Sequence, residues 1–194
     1  MAILTRMPAG RRPRLLLLGL VFGVTVQLEA QREPGAPASE IKAAYLLNFA
    51  RYVEWPAPTF SDAATPLVVC VVEVEPEPLV ESKAIGEALL RLAEDRTVNG
   101  RPVRAVVVRS SDEPVACHIA YFSAAATPGA RFLVTSWSTR PVLTVGEGEK
   151  FLRRGGIVGF MLVQQTVRFA IDQEAARRAG LRVSSRVLAL AVPR

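Results

Sequence analysis

The residues able to do chemistry are few and poorly placed to do it together. His118 is the only histidine, and it follows Cys117 in "CHIAYFS". Neighbours on an extended strand point to opposite faces, so within one chain this pair makes no Cys–His dyad. One histidine and two cysteines also fall short of a four-ligand zinc site. "TVGEGEKF" and "RRGGIVGF" set glycines near charged residues, but neither matches a phosphate-cradling or dinucleotide fingerprint. The first reads as a turn, the second as a bend into a strand. No serine sits in a nucleophile elbow. Glu73, Glu75 and Glu77 fall in a Pro-rich stretch that reads as a solvated loop. No catalytic residue, metal ligand or cofactor site is assigned, and an unrecognised hydrolase is the weakest reading.

Recognition chemistry is better represented. In "NFARYVEWP", Asn48 to Pro56, the polar breaks in an apolar run are Asn48, Arg51 and Glu54. At 100° per residue, Lys42, Leu46, Phe49 and Val53 share one side of a helix and Ala43, Leu47 and Ala50 another. Ala44, Tyr45, Asn48, Tyr52 and Trp55 sweep the third. A helix with so little polar face is covered on most sides. Either it is sandwiched inside its own domain, or part of it is a recognition surface. Tyr, Trp and Arg are the usual anchors of interfaces. Tyr45, Asn48, Arg51, Tyr52 and Trp55 are therefore the candidate partner, dimer or ligand surface. Arg51 and Trp55 stand four apart, at cation–π spacing, and with Asn48 they form a corner able to hold a small polar ligand.

The 194 residues, half of them hydrophobic, suffice for a full core. Four arginines (Arg6, Arg11, Arg12, Arg14) precede the apolar run "LLLLGLVFGVTV", and Ala30 follows it. This is the plan of a secretory signal peptide over residues 1–30, and the run is short for a membrane span. The alternative is an uncleaved N-terminal anchor. Cleavage after Ala30 leaves 164 residues; losing four arginines and Glu29 takes the net charge from +6 to +3. No basic stripe of the kind nucleic acid requires is present, and the mature chain carries no segment for stable membrane insertion. The two cysteines, Cys70 and Cys117, suggest one disulfide in an exported protein, the alternative being two buried thiols.

The elements that must position these residues follow from periodicity and punctuation. "QREPGAPAS", residues 31–39, reads as a flexible leader, with Ser39 capping a helix over 40–54 that Pro56 and Pro58 stop. "PLVVCVVEV" is a strand buried on both faces, and 79–93 has helical spacing. An Asn-Gly turn leads into a strand over 103–109. "CHIAYFS" and "PVLTVG" are strands; "PGARFLVTSWS" is a helix with Pro128 in its first turn, and 151–154 is a helical turn. Two β-rich runs flank Gln164-Gln165 as a hairpin without Gly or Asn. Asp172 and Gly180 bracket a helix, and Ser184 caps a last one. The fold class is a single α/β sandwich: a mostly parallel sheet, an antiparallel C-terminal hairpin, and helices on both faces.

Four blocks, "IKAAYLLNFARYVEWP", "CHIAYFS", "PVLTVGEGEKFLRRGGIVGF" and "VRFAIDQEAARRAGLRVSSRVLALA", together resemble the YfiR-like family of bacterial periplasmic proteins, in the family's order. The resemblance spans nearly all of the mature chain, residues 40–194. It implies a compact α/β sandwich that tends to dimerise, located in the periplasm. It also implies a non-enzymatic repressor that binds the periplasmic sensor domain of an inner-membrane signalling protein, a diguanylate cyclase in the best-known members, and holds its output off. It favours a Cys70–Cys117 disulfide. The chain lacks the second cysteine pair of the founding member near the "GG" block, which removes one ground for a redox switch, and it has Asp172 where the family has Asn. On the resemblance, the first helix is apolar all round because a twin subunit or the partner covers it. A periplasmic solute-binding protein is the alternative function.

Overall fold

The computed structural model describes residues 36–73, 80–109, 116–123 and 128–193. The expected signal peptide, residues 1–30, and residues 31–35 of the expected leader lie outside these. Helix α1 (Ala38–Tyr52) starts inside the expected leader. Pro37, not Ser39, is its N-cap residue: the Pro37 carbonyl accepts from the amides of Glu40 and Ile41, and no side chain caps the end. The helix also stops two residues short of the expected Glu54. Val53 turns extended, and β1 (Val53–Glu54) pairs antiparallel with β9 (Arg182–Val183).

A 3-10 turn (Ala57–Thr59) leads to β2 (Leu67–Glu73), followed by α2 (Val80–Ala93), β3 (Thr97–Val98) and β4 (Arg101–Arg109). Then come β5 (Ile119–Phe122), α3 (Pro128–Trp137), β6 (Leu143–Glu147) and α4 (Gly148–Arg153). The chain ends with β7 (Val158–Val163), β8 (Thr166–Ile171), α5 (Gln173–Arg178), β9 and α6 (Ser185–Leu188). The main sheet has seven strands in the order β3-β4-β2-β5-β6-β7-β8. β4, β2, β5, β6 and β7 run parallel, while β3 and β8 are antiparallel to their neighbours. The sheet is thus mostly parallel, with an antiparallel strand at each edge. The second arises at Asn99-Gly100, both at positive φ, the mirror-image turn that suits a tight hairpin. Gln164 and Gln165 adopt the same conformation at φ 49° and 62° without glycine.

Alternation along β2 divides the core. Leu67, Val69 and Val71 pack with α1, α2 and the C-terminal helices, whereas Val68, Cys70 and Val72 pack with α3 and α4. Helices therefore cover both faces, as a parallel sheet requires. Asp172 caps α5 by accepting from the Ala175 amide, Gly180 follows it at φ 73°, and Ser184 caps α6.

Candidate functional site

The chain itself answers why α1 is apolar all round. Leu46, Leu47, Phe49 and Ala50 are fully buried in a core shared with α2, the sheet, α5 and α6. No second body is needed to cover these sides. Apart from Ala38 at its start, what α1 leaves exposed is narrow: Asn48 and Arg51, beside a half-buried Ala44.

The five candidate surface residues do not form one patch. Tyr45 is half-buried and turns inward, its ring 5.3 Å from Phe169 and 5.9 Å from Phe49. Tyr52 is half-buried, and its carbonyl accepts the Ser184 amide. Trp55 lies beyond the helix end, so the expected i,i+4 contact with Arg51 does not form. Its ring instead meets Phe60 and His118 edge-on. Asn48 and Arg51 face solvent, and neither has a hydrogen-bond or ion-pair partner among the described residues.

Trp55 belongs to a layered stack. The His118 ring lies 4.5 Å from that of Phe60 and nearly parallel to it, and the Arg101 guanidinium sits 4.1 Å over the other ring face. His118 is a satisfied structural residue: its Nδ1 accepts from the Val68 amide, and its own amide donates to the Val68 carbonyl. Burial lowers its pKa, with the Arg101 charge adding to that; a backbone hydrogen bond at Thr59 opposes it only in part. It therefore stays neutral at and above the usual histidine range. Beside Trp55 opens a cavity of about 490 Å³, bordered by Val53, Glu54, Phe60, Asn99 and Arg101. Asn48 and Arg51 do not line it, so of the expected Asn48–Arg51–Trp55 corner only Trp55 borders this cavity. Among the described residues the indole Nε1 is buried without a partner.

Cys70 and Cys117 form the disulfide, tying β2 to the entry of β5 across 47 residues, Cα to Cα 5.8 Å. No group of residues able to hold a metal ion occurs among the described residues.

One polar cluster gave no sequence signal. Lys42 is 5 % exposed and sits on the buried side of α1. Its ammonium pairs with Glu81 in the first turn of α2 and with Glu147 at the end of β6, the latter at 3.0 Å. The Tyr121 hydroxyl donates to the same Glu147 oxygen at 2.5 Å. Burial alone would lower the Lys42 pKa, but the Glu81 and Glu147 contacts outweigh it and the net shift is upward. Burial first, then the Glu147 charge, pushes the Tyr121 hydroxyl far above its usual range. The cluster therefore holds a fixed charge pattern near neutrality and joins α1, α2, β5 and β6. A helical wheel shows Lys42 on an apolar side but cannot name partners 39 and 105 positions away.

The family model for YfiR/HmsC-like proteins matches residues 39–192. The chain belongs to that family, as the four sequence blocks implied. No individual curated protein matches it.

Proposed function

We propose that this YfiR/HmsC-like chain is a periplasmic, non-enzymatic regulator. It binds the periplasmic sensor domain of an inner-membrane signalling protein, most often a diguanylate cyclase in this family, and represses it. The observation that carries the reading is the family match over residues 39–192. No helix of the described residues is long and apolar enough to cross a membrane. Export by cleavage near Ala30 would place it beside such a sensor. Repression then follows from differential affinity, since a bound regulator shifts its partner only as far as it prefers the silent state.

Asn48 and Arg51 supply exposed, uncommitted contacts on a rigid helix. Trp55 is a less clean probe, because its packing on Phe60 and His118 mixes binding with stability. Deleting the gene in the host should raise cyclic di-GMP, and wild-type protein should restore it. Arg51→Glu, present at wild-type level, should restore it poorly. Unchanged cyclic di-GMP in the deletion strain would count against the cyclase as partner.

The cavity beside Trp55 favours a second reading, a solute-binding protein, because about 490 Å³ lies within the size range of small-molecule sites. A thermal-shift screen against amino acids and nucleotides decides this. A tight ligand raises the melting point by mass action, and no response from any compound removes the reading's support.

A further inference from the structure

Strand β4 has two edges, and only one is used along its length. Residues Val103 to Arg109 pair in parallel with Leu67 to Glu73 of β2. On the outer side β3 reaches only Arg101 and Pro102, after which the Val103 amide donates to the Arg96 carbonyl at 2.9 Å. That bond fixes the parity of the strand. A residue's N–H and C=O point to the same side and alternate along the chain, so Ala105 and Val107 also direct theirs outward. Among the described residues nothing pairs with them. An open edge of this length, rich in β-branched residues, is a template for another strand.

We propose that the occupant is a second copy of this chain. The two β4 strands pair antiparallel about a two-fold axis through Val106, joining two seven-stranded sheets. The sequence is close to self-complementary about that residue. Ala105 falls opposite the second copy's Val107 and Arg104 opposite Val108, so within the open stretch 104–108 no arginine faces another. The same register matches the backbone. Ala105 and Val107, the outward-directed residues, exchange both hydrogen bonds with each other, and Val106 lies on the axis as a non-hydrogen-bonded pair. The side chains agree as well. Val107 faces α2, where a β-carbon added at Gly86 would lie 2.9 Å from its Cγ2. Val107 and Leu90, one turn further along α2, are 39 % and 50 % exposed. Pairing would bring these apolar groups of both copies to one seam. A foreign strand would need a residue without positive charge opposite Arg104; a copy supplies Val108 there by the offset the sequence already provides. The edge alone buries less than the roughly 1,600 Å² of a standard interface, so a concentration-dependent equilibrium is expected. The proposal goes beyond the regulator reading and puts the dimer contact on β4, away from the candidate surface on α1.

Two measurements test it on the purified protein. The native bridge leaves no free cysteine among the described residues, so introduced thiols report alone. Arg104→Cys and Val108→Cys proteins, mixed and oxidised, should give a disulfide-linked dimer that neither gives by itself, since these positions meet only between copies. Ala105→Pro removes an outward amide and no bond to β2; it should sediment as a monomer where wild type is dimeric. If Ala105→Pro fails to fold, the cysteine mixture still decides. A wild-type monomer at every concentration, or a dimer whose mixed cysteine variants do not link, would overturn the proposal. A dimer without the cross-link would leave the regulator reading standing, whereas an unchanged cyclic di-GMP level would leave the edge result standing.

Discussion

Lys42 shows what a buried charge asks of its surroundings. A lysine 5 % exposed has two carboxylates and the Phe160 ring, 6.0 Å away, around it, and the carboxylates outweigh the burial that would lower its pKa. Glu81 and Glu147 keep side-chain exposures of 43 % and 30 %, so solvent moderates the cost of losing the cation. Lys42→Met should destabilise by about 1–3 kcal/mol rather than the larger loss of a fully buried pair. The pH dependence has a definite sign. The folded-state pKa is raised, so the stabilisation is complete below the ordinary lysine value of 10.5 and is lost as pH rises through the folded value. Chemical denaturation of both proteins should show their gap shrinking above about pH 10.5; a gap constant into strong alkali would mean that the lysine charge contributes nothing. None of this was legible in the sequence, because the three elements that close on Lys42 are brought together only by the sheet. His118 was legible only in part: the strand expected over "CHIAYFS" begins at Ile119, so His118 stands just before β5, with its ring nitrogen bonded to Val68.

At the scale of elements, sequence reading succeeded wherever a local signal fixed the backbone. β2 is buried over its first six residues, Leu67 to Val72, and pairs in parallel, as its unbroken apolar pattern implied. The caps at Asp172 and Ser184 sit where their side chains predict. Helix α1 departed from the reading at both ends: the Pro37 carbonyl opened it early, and long-range pairing with β9 drew Val53 out of it. Its apolar circumference was read correctly, but what covers it is a long-range fact. The disulfide links two elements 47 residues apart, which chain-entropy reasoning values at about 4 kcal/mol. Cys70→Ser and Cys117→Ser should lower the melting point alike, and the double variant should be little worse than either single. Additive losses would instead indicate two independent contributions. The Phe151 ring is clasped between two glycines. A β-carbon on Gly156 would lie 2.2 Å from it, and one on Gly146 2.5 Å. Gly156→Ala should therefore cost about 1–3 kcal/mol by overpacking. Phe151→Leu in the same chain should recover part of that loss; a double variant as unstable as the sum of the singles would show that the ring is not the obstacle.

At the scale of the molecule, the fold packs most of the described hydrophobic residues internally, although Val80, Phe132, Leu162 and Leu190 stay exposed. Also facing outward are the Asn48–Arg51 strip, the cavity beside Trp55 and the open edge of β4. A scaffold so provided fits a protein that acts by contact. The family it belongs to supplies the kind of contact proposed, with a membrane sensor. The measurement that tests this most directly is site-specific photo-crosslinking in intact host envelopes, with the probe at Asn48, followed by identification of the captured protein by mass. The account predicts a membrane sensor with a cyclase output, and loss of the adduct when Arg51→Glu is combined with the probe. Adducts only with copies of the same chain, or none at all, would contradict it.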